Sequence, residues 1–344
     1  MKPPTFVGFM VSARCNAKCV YCPIGSQGTG ISPPFMEPSI AVAAAHDLRE
    51  NRFDGYLNIG ENGEPLLNPK WPEIVRVLRK SLPEARLVIH SNMYLMEAPA
   101  ARLLLKNGLF ALILNFDGAT PRSYGAVRRL SYAKVERNVR NFIRIRNHAG
   151  HPCRIVIAVS TLANFMANAY GISGPCADDS AQVIEKWRGH LRHDDAIQVN
   201  TGFWRWMNPY SQDCSSELLC PMAGRFDTDC FVATDGALYL CCLDYRTHIR
   251  FERVQEKSLT SVFNGESRRL LVDSIRKRVW QKVGFPCDSC PSRQEVLEVQ
   301  MERGWAETPP WEGTRHPLGL HQTDDSPSTS LRALLPEHTA YLSM

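Results

Sequence analysis

Residues 5–22 read TFVGFMVSARCNAKCVYC, and this stretch decides how the rest of the chain is interpreted. Its first part, Thr5–Val11, is a short apolar run of the kind that forms a buried β-strand. Three cysteines, Cys15, Cys19 and Cys22, follow it closely. The run is much shorter than the roughly 18 apolar residues of a membrane span. The pattern predicts a first strand that ends in a loop carrying three thiols.

The spacing of these cysteines, C-x3-C-x2-C, lets three thiolates converge on one point. Thiolates select soft centres, namely zinc, copper(I) or iron–sulfur clusters. A structural zinc site usually has four ligands from paired C-x2-C knuckles, and the next histidine here is His46. Three ligands to a four-iron cube leave one iron open to a non-protein ligand. The spacing favours the cube; a zinc knuckle with a remote fourth ligand and incidental cysteines are the alternatives.

Composition places the chain among ordinary globular proteins, because 44% of its 344 residues are hydrophobic and 22% are charged. Twelve cysteines are too few for a disulfide scaffold. The N-terminus has no A-x-A-like cleavage site, so we expect a cytoplasmic, reducing compartment, where clustered cysteines bind metal or do redox chemistry. A net charge of +5 suits an anionic or polar ligand. Neither nucleic acid nor a membrane is an expected partner.

Apolar runs alternate with helical patterns over the first two hundred residues. Strands are predicted at Thr5–Val11, Gly55–Ile59, Arg86–His90, Phe110–Asn115, Arg154–Val159 and Ala196–Val199, and helices at Ser39–Glu50, Trp71–Leu82, Ala98–Asn107, Tyr132–Asn147 and Gln182–Leu191. This alternation indicates an α/β fold with a parallel sheet. Six units are too few for a closed eight-stranded barrel, so an open partial barrel or a doubly wound sheet is expected. In both, the active site lies at the carboxyl ends of the strands.

The pattern changes after about residue 210, where seven of the twelve cysteines lie between Cys214 and Cys290. Phe231–Tyr239, with an Asp-Gly pair at its centre, is typical of a β-hairpin. Ser267–Lys282 predicts one basic helix. The last forty residues are rich in Pro, Ser and Thr and are expected to be disordered.

The cysteine loop resembles the signature of radical S-adenosylmethionine (radical SAM) enzymes, with Tyr21 before the last cysteine and a strand before the first. The resemblance implies that Cys15, Cys19 and Cys22 hold a [4Fe–4S] cluster whose open iron is chelated by S-adenosylmethionine. One electron, from a donor such as flavodoxin or ferredoxin, would then release a 5′-deoxyadenosyl radical that abstracts hydrogen from the substrate. The fold implied is a partial (βα)6 TIM-like barrel.

Residues after the later strands extend this resemblance. Gly63-Glu64-Pro65 resembles the GGEP segment that binds the methionyl amino group, with Asn62 in place of the first glycine, a small departure because Asn tolerates left-handed backbone geometry. The other matching positions are Ser91, Asn92, Asn115, Asp117 and Arg128. With Tyr21, these residues are predicted to bind the cofactor. Taken alone, each of these residues is also compatible with an ordinary turn or loop. Because they all follow successive strands, they support the resemblance as a group.

A second cysteine set, called here the auxiliary set, consists of Cys220, Cys241, Cys287 and Cys290. Four thiolates suit either zinc or a fully ligated iron–sulfur cluster, and the spacing does not choose between them. The arrangement C-x15-G-x4-C with a later C-x2-C resembles the Twitch/SPASM extension of radical SAM enzymes. That resemblance implies one auxiliary [4Fe–4S] cluster, because no cysteine follows Cys290. Cys242 is an alternative to Cys241 as a ligand.

The predicted domains are a radical SAM core at 1–210, a Twitch/SPASM-like cluster domain at 211–300 and a disordered tail at 301–344. Three residues are candidates for catalysis. Arg205, just past the sixth strand, would hold or help to deprotonate a substrate hydroxyl, and an arginine stacked structurally on its neighbouring tryptophans is the alternative. Cys230 and Cys242 would donate a hydrogen atom to a substrate radical, although free cysteines are more often small buried hydrophobes.

The resemblance implies hydrogen abstraction from a polar small molecule, a sugar, aminocyclitol or nucleoside, in natural-product or antibiotic biosynthesis. Dehydrogenation is the favoured outcome, and decarboxylation or epimerisation would use the same parts. No N-terminal peptide-recognition domain is expected, because the chain starts shortly before its first strand. The alternatives are epimerisation or crosslinking of a ribosomally made peptide and, from a different class, a non-catalytic iron–sulfur or zinc protein.

Overall fold

The computed structural model describes residues 2–160, 179–200, 220 and 222–290, and the described strands form one nine-stranded sheet. The strands are β1 (Phe6–Phe9), β2 (Tyr56–Asn58), β3 (Arg86–Ser91), β4 (Leu109–Asn115), β5 (Arg154–Ser160), β6 (Ala196–Asn200), β7 (Asp229–Val232), β8 (Ala237–Tyr239) and β9 (Arg250–Arg253). The helices are α1 (Pro23–Gln27), α2 (Pro38–Glu50), α3 (Trp71–Ser81), α4 (Ala98–Lys106), α5 (Pro121–Arg128), α6 (Tyr132–His148), α7 (Ser180–Arg188), α8 (Leu259–Phe263), α9 (Glu266–Arg276) and α10 (Trp280–Val283).

The first six strands pair in parallel in their order along the chain, from β1 at one end to β6 at the other. The α/β prediction is confirmed, and the predicted strands and core helices are present with ends that shift by no more than three residues. No pairing between the two outer strands closes the sheet within the described ranges. The carboxyl ends of β1–β4 consequently share one edge, where the polar loops meet.

Strands β1 and β2 are buried on both faces. Val7 and Leu57 point to the face covered by the helices, where they meet Ile74 of α3. Their neighbours Phe6 and Tyr56 point to the opposite face. This alternation follows from the two-residue period of a strand, and burial of both faces explains the nearly continuous apolar runs in the sequence.

The cysteine-rich segment extends the same sheet. Strand β7 pairs in parallel with β1, with Phe6 opposite Asp229 and Phe9 opposite Val232. The predicted hairpin is confirmed, because β7 and β8 are antiparallel and Gly236 in their turn has φ +89°. Strand β1 therefore has β2 on one side and β7 on the other. The hairpin of β7 and β8 is called here the auxiliary hairpin.

The prediction of a single basic helix over Ser267–Lys282 was wrong. Two helices, α9 and α10, occupy this segment, because Arg278 adopts a left-handed backbone conformation with φ +58° that ends the first helix. The predicted domain boundary at 210/211 and the tail at 301–344 lie outside the described residues.

The part of the chain that the structure describes contains no helix of the length and apolar character needed to cross a membrane.

Candidate active site

A cavity of about 250 Å³ opens where β1–β4 end. Its walls come from the cysteine loop, the loop after β2, the end of β3 and the end of β4. The residues that line it are Cys15, Ala17, Cys19, Tyr21, Cys22, Ile24, Gly60, Glu61, Asn62, Gly63, Glu64, His90, Ser91, Asn92, Asn115 and Arg128. Most of the residues predicted to bind the cluster and its cofactor are thus brought together.

The three cysteines of the first loop all face this cavity. Burial raises the pKa of Cys15 to about 12 and that of Cys19 to about 11, and neighbouring Glu64 adds to the shift at Cys15. Free thiols at this site are therefore protonated at neutral pH, and a metal centre must displace those protons to bind. Among the described residues, no three His, Cys, Asp or Glu side chains converge as ligands of one ion would. A four-iron cube binds each thiolate at a different iron, so its ligands stand further apart.

Glu64 is the buried carboxyl group of the cavity wall, with 1% of its surface exposed. It accepts hydrogen bonds from Ser91 Oγ at 3.0 Å, from the Asn92 backbone N–H at 2.7 Å and from the Leu66 N–H at 3.2 Å. Burial raises its pKa to about 7 although these donors stabilise the ionised form. The end of β3 thus fixes the carboxylate against the cavity.

The turn before Glu64 depends on glycine. Gly63 has φ +85°, and a Cβ atom there would lie 2.1 Å from the carbonyl oxygen of Ser12. The Glu64 N–H also donates to the Arg14 carbonyl at 2.8 Å. The loop after β2 is therefore packed backbone to backbone against the cysteine loop. Asn62 adopts the left-handed conformation, φ +53°, that its place in the pattern predicted.

Asn92 connects this wall to the cysteine loop. Its Nδ2 donates to Asn16 Oδ1 at 2.7 Å and contacts the Cys15 sulfur at 3.7 Å. The Nδ2 atom of Asn16 is buried with no hydrogen-bond partner among the described residues. A buried unpaired amide beside three thiols fits a site whose polar occupant completes it.

Tyr21, Asp117 and Arg128 form a hydrogen-bonded group, and Tyr21 and Arg128 of this group also line the cavity. The Tyr21 hydroxyl donates to Asp117 Oδ2 at 2.6 Å, and Arg128 Nη1 donates to the same carboxylate at 3.2 Å and to the Tyr21 hydroxyl. The Arg128 charge lowers the pKa of Cys19, opposing the larger effect of burial. Asp117 and Pro65 do not line the cavity, so their predicted contact with the cofactor stays a prediction.

Sequence reasoning missed three residues of this site. Glu61 and His90 line the cavity, and the fully buried Asn58 lies behind both. Asn58 Nδ2 is 2.8 Å from Glu61 Oε2 and 3.3 Å from His90 Nδ1. The available signal was their position, because Asn58 and Glu61 flank the end of β2 and His90 directly precedes Ser91.

Members of the auxiliary set approach one another beside the β7–β8 hairpin. The Cys241 thiol interacts with Cys242, which lowers its pKa, whereas burial and the nearby Cys220 and Cys287 raise it above the usual value. The Leu243 N–H lies 3.3 Å from the Cys241 sulfur, where it would stabilise a thiolate. Cys290 follows the short 3-10 turn Cys287–Ser289. Cys220 and Cys287 are among the groups that raise the pKa of Cys241, which is consistent with Cys241 as the ligand.

The candidate catalytic residues have three different placements. Arg205 lies outside the described residues. Cys230 is 3% exposed in the apolar layer between the sheet and the helices, and it is not among the residues that line the cavity. Cys242 is half-buried, and its carbonyl accepts a hydrogen bond from Asn62 Nδ2 at 3.2 Å. The position of Cys230 gives its predicted role as a hydrogen donor no support.

Family models match both parts of the molecule. Residues 9–160 match the radical SAM superfamily, and residues 220–291 match SPASM, an iron–sulfur cluster-binding domain. The chain belongs to the radical SAM superfamily and carries a SPASM domain. These domains imply a [4Fe–4S] cluster that binds S-adenosylmethionine, together with auxiliary iron–sulfur cluster binding.

Solved structures of radical SAM proteins share the fold. BtrN in complex with AdoMet and 2-DOIA has a TM-score of 0.54 and 14% identity, covering 85% of this chain and 94% of that one. Native anSMEcpe with bound AdoMet and Cp18Cys peptide also has a TM-score of 0.54 and 14% identity, over 85% and 88%. SuiB of Streptococcus suis bound to precursor peptide SuiA has a TM-score of 0.52 and 12% identity, over 77% and 66%.

The amino-acid sequence is also similar to those of GTP 3′,8-cyclases. The enzyme of Acaryochloris marina is 31% identical over 121 residues, which are 33% of this chain and 34% of the cyclase. That of Chlorobaculum tepidum is 27% identical over 127 residues, or 36% of each chain. This chain therefore matches only about a third of the cyclases' length.

Proposed function

We propose that the protein oxidises a carbinol carbon of a polar small molecule, a sugar, aminocyclitol or nucleoside, in the biosynthesis of a natural product. When bound, the first cluster and S-adenosylmethionine supply a 5′-deoxyadenosyl radical for hydrogen abstraction, and the auxiliary cluster supplies an electron acceptor. Cys15, Cys19 and Cys22 are the proposed ligands of the first cluster. Cys220, Cys241, Cys287 and Cys290 are those of the second.

One observation carries the choice of an oxidation. Asn62 lines the cavity, and its side chain donates to the Cys242 carbonyl at 3.2 Å and lies 3.5 Å from the Tyr239 hydroxyl. Cys242 directly follows Cys241, a proposed ligand of the auxiliary cluster. The cavity wall and the auxiliary site are thus joined through a single side chain. An oxidation needs an electron acceptor next to the substrate, whereas a redox-neutral rearrangement does not.

Binding of the cofactor is assigned to the wall beside the cysteines, which the loop after β2 and the end of β3 form. The Glu64 carboxylate, held by Ser91 and Asn92, supplies the negative partner for a cationic amino group. Asn115 at the end of β4 lines the same cavity and offers an amide for hydroxyl groups. Arg128 and Tyr21 also line the cavity, and their contact with each other holds the cysteine loop to α5.

The likeness to BtrN supports a small substrate, since that structure is a complex with 2-DOIA. The structural match also covers 94% of the BtrN chain. The rival proposal is modification of a ribosomally made peptide. It is favoured by the likeness to SuiB and anSMEcpe, whose structures contain the peptides SuiA and Cp18Cys. The two proposals differ in which molecule supplies the hydrogen atom that converts the 5′-deoxyadenosyl radical into 5′-deoxyadenosine.

The test begins with anaerobic reconstitution, iron counting and a reductant-dependent assay for 5′-deoxyadenosine. We expect about eight irons in the wild type and about four in the Cys15→Ala/Cys19→Ala/Cys22→Ala variant, with the nucleoside formed only by the wild type. Cys153→Ala is the matched control, because Cys153 is a buried cysteine that does not line the cavity. It should keep both the iron and the activity.

Substrate class is then decided with deuterium. Aminocyclitols and sugars deuterated at their carbinol carbons are compared with deuterated peptides, and transfer of deuterium into 5′-deoxyadenosine is followed by mass spectrometry. Transfer from a carbinol probe with formation of a ketone supports the proposal. Transfer from a peptide alone would replace it with peptide modification.

A further inference from the structure

Asn58, Glu61 and His90 form a polar group in the cavity wall that the binding of cluster and cofactor does not explain. All three lie at the ends of β2 and β3, on the side of the cavity that adjoins the auxiliary hairpin. Glu61 acts electrostatically on both Tyr239 and Cys242 of that hairpin. The group thus lies in the cavity wall near Cys242, the neighbour of a proposed ligand of the auxiliary cluster.

The orientation of the Asn58 amide is fixed by the backbone. The Gly60 N–H donates to Asn58 Oδ1 at 3.1 Å, so the Nδ2 group must face the other two residues. Nδ2 has two hydrogens and two neighbours, Glu61 Oε2 at 2.8 Å and His90 Nδ1 at 3.3 Å. His90 Nδ1 is therefore an acceptor, and the imidazole proton is on Nε2.

This arrangement leaves one acceptor and one donor for a ligand. Among the described residues, the structure gives neither Glu61 Oε1 nor His90 Nε2 a hydrogen-bond partner, and neither is one of the buried unpaired atoms. Burial lowers the pKa of His90 to about 4, so its ring is neutral at physiological pH. A substrate hydroxyl can donate to Glu61 while it accepts from His90.

Strand β1 makes room for the carboxyl group. A Cβ atom on Gly8 would lie 2.9 Å from Glu61 Oε2, so only glycine at this position of the strand leaves the side chain its place. The charged groups that act on Glu61 are Arg225, which favours its ionised form, and Asp229, which opposes it. These two residues pair with each other, so the charge they present to Glu61 is largely balanced.

We infer that Glu61 is the catalytic residue that takes the hydroxyl proton of the substrate, with His90 as the donor that orients the hydroxyl oxygen and Asn58 as the positioning residue. This inference rests on the proposed function. A hydrogen atom leaves the carbinol carbon for the 5′-deoxyadenosyl radical, the hydroxyl proton passes to the Glu61 carboxylate, and one electron passes to an oxidised iron–sulfur cluster. The C–O single bond becomes C=O, which balances the reaction.

The experiment uses the reconstituted full chain, dithionite and the carbinol-deuterated aminocyclitols and sugars described above. Glu61→Gln keeps an acceptor for Asn58 but is not a base. We expect deuterium transfer to continue in this variant, the ratio of 5′-deoxyadenosine to ketone to rise at least about tenfold, and a substrate radical to accumulate in freeze-quench electron paramagnetic resonance spectra. Glu61→Asp, which restores a carboxylate, should bring the ratio partly back. Glu73→Gln, an exposed acid on α3, should behave as the wild type.

Iron content and the Kd for S-adenosylmethionine are measured in each variant, so that a folding defect is recognised. A wild-type ratio in Glu61→Gln would overturn the inference and leave the proposed function intact. If Glu61→Gln loses both S-adenosylmethionine binding and deuterium transfer, the inference is also overturned, because Glu61 would then belong to the cofactor site. If the wild type takes deuterium from none of the carbinol probes, the proposed function fails and the inference falls with it.

Discussion

At the scale of single residues, Glu64 links the pH of the solution to cofactor binding. Burial raises its pKa to about 7 in the ligand-free protein, whereas the cationic amino group of S-adenosylmethionine needs the ionised carboxylate. As pH falls through 7 the carboxylate is protonated, so affinity falls. We expect the Kd for S-adenosylmethionine, measured anaerobically by equilibrium dialysis, to be about tenfold higher at pH 6 than at pH 8.

Two variants separate Glu64 from its neighbour in this measurement. Glu64→Gln should bind more weakly, by about tenfold or more at pH 8, and should lose the pH dependence. Burial also raises the pKa of Glu61 to about 7. Glu61→Gln should nevertheless keep the pH dependence, because the proposed partner of the amino group is Glu64, the carboxylate that the end of β3 holds. An unchanged slope in Glu64→Gln would assign the titration to another group.

Gly63 provides a second prediction at the residue scale. Gly63→Ala places a Cβ atom 2.1 Å from the Ser12 carbonyl oxygen in a left-handed conformation, so the loop after β2 must move away from the cysteine loop. We expect a loss of about 3 kcal/mol in the free energy of unfolding by urea, together with weaker S-adenosylmethionine binding. Gly150→Ala is the control, with φ +60° but no atom near its Cβ, and should cost only about 1 kcal/mol. Equal losses would mean that backbone conformation alone requires glycine at residue 63.

At the scale of secondary-structure elements, one buried carboxylate ties the core to the SPASM domain. Asp47 of α2 accepts from the Thr260 N–H at 2.8 Å and from its hydroxyl at 2.7 Å, at the start of α8. The helix N-terminus is also where a negative charge is stabilised. The carboxylate, on a side chain that is 7% exposed, thus supplies the two hydrogen bonds that hold the start of α8 against α2.

Asp47→Ala removes both acceptors and leaves the Thr260 donors unpaired. We expect a loss of about 3 kcal/mol in the free energy of unfolding and faster hydrogen exchange in Leu259–Phe263. Glu50→Ala, on the exposed side of the same helix, should change stability by less than about 0.5 kcal/mol. Unchanged exchange rates in α8 would show that this helix is held by apolar packing instead.

The sequence predicted individual strands and loops better than it predicted which of them pair or make contact in the fold. Apolar runs bounded by turn residues sufficed for the core strands, and C-x3-C-x2-C sufficed for the cysteine loop, because both are local patterns. Pairing of Phe6 with Asp229 has no local signature, since a strand of four residues carries little information about its neighbour. The sequence did not reveal the role of the Asn58 amide for the same reason, because that role arises from contacts with the loop after β2 and with the neighbouring strand β3. The break at Arg278 required a backbone conformation that helical periodicity does not record.

At the scale of the whole molecule, the pairing of β1 with β7 makes the two domains one folding unit. The apolar layer on that face of the sheet contains Phe6 and Met10 from the core together with Phe226 and Phe231 from the SPASM domain. Cutting the chain at residue 210 would leave β1 as a bare sheet edge beside exposed aromatic rings. We expect the fragment 1–210 to aggregate and to bind no stable cluster.

Removal of the auxiliary ligands should have a different result from removal of the domain. In the full chain carrying Cys220→Ala, Cys241→Ala, Cys287→Ala and Cys290→Ala, strands β7–β9 remain, so β1 keeps its partner and the layer around Phe231 stays covered. This variant should stay soluble, hold about four irons and cleave S-adenosylmethionine when reduced, but it should form no ketone. Size-exclusion chromatography, iron counting and the 5′-deoxyadenosine assay compare the two proteins directly. A soluble fragment 1–210 with about four irons would show that the core folds alone, and the pairing of β1 with β7 would then serve to place the auxiliary site beside the cavity.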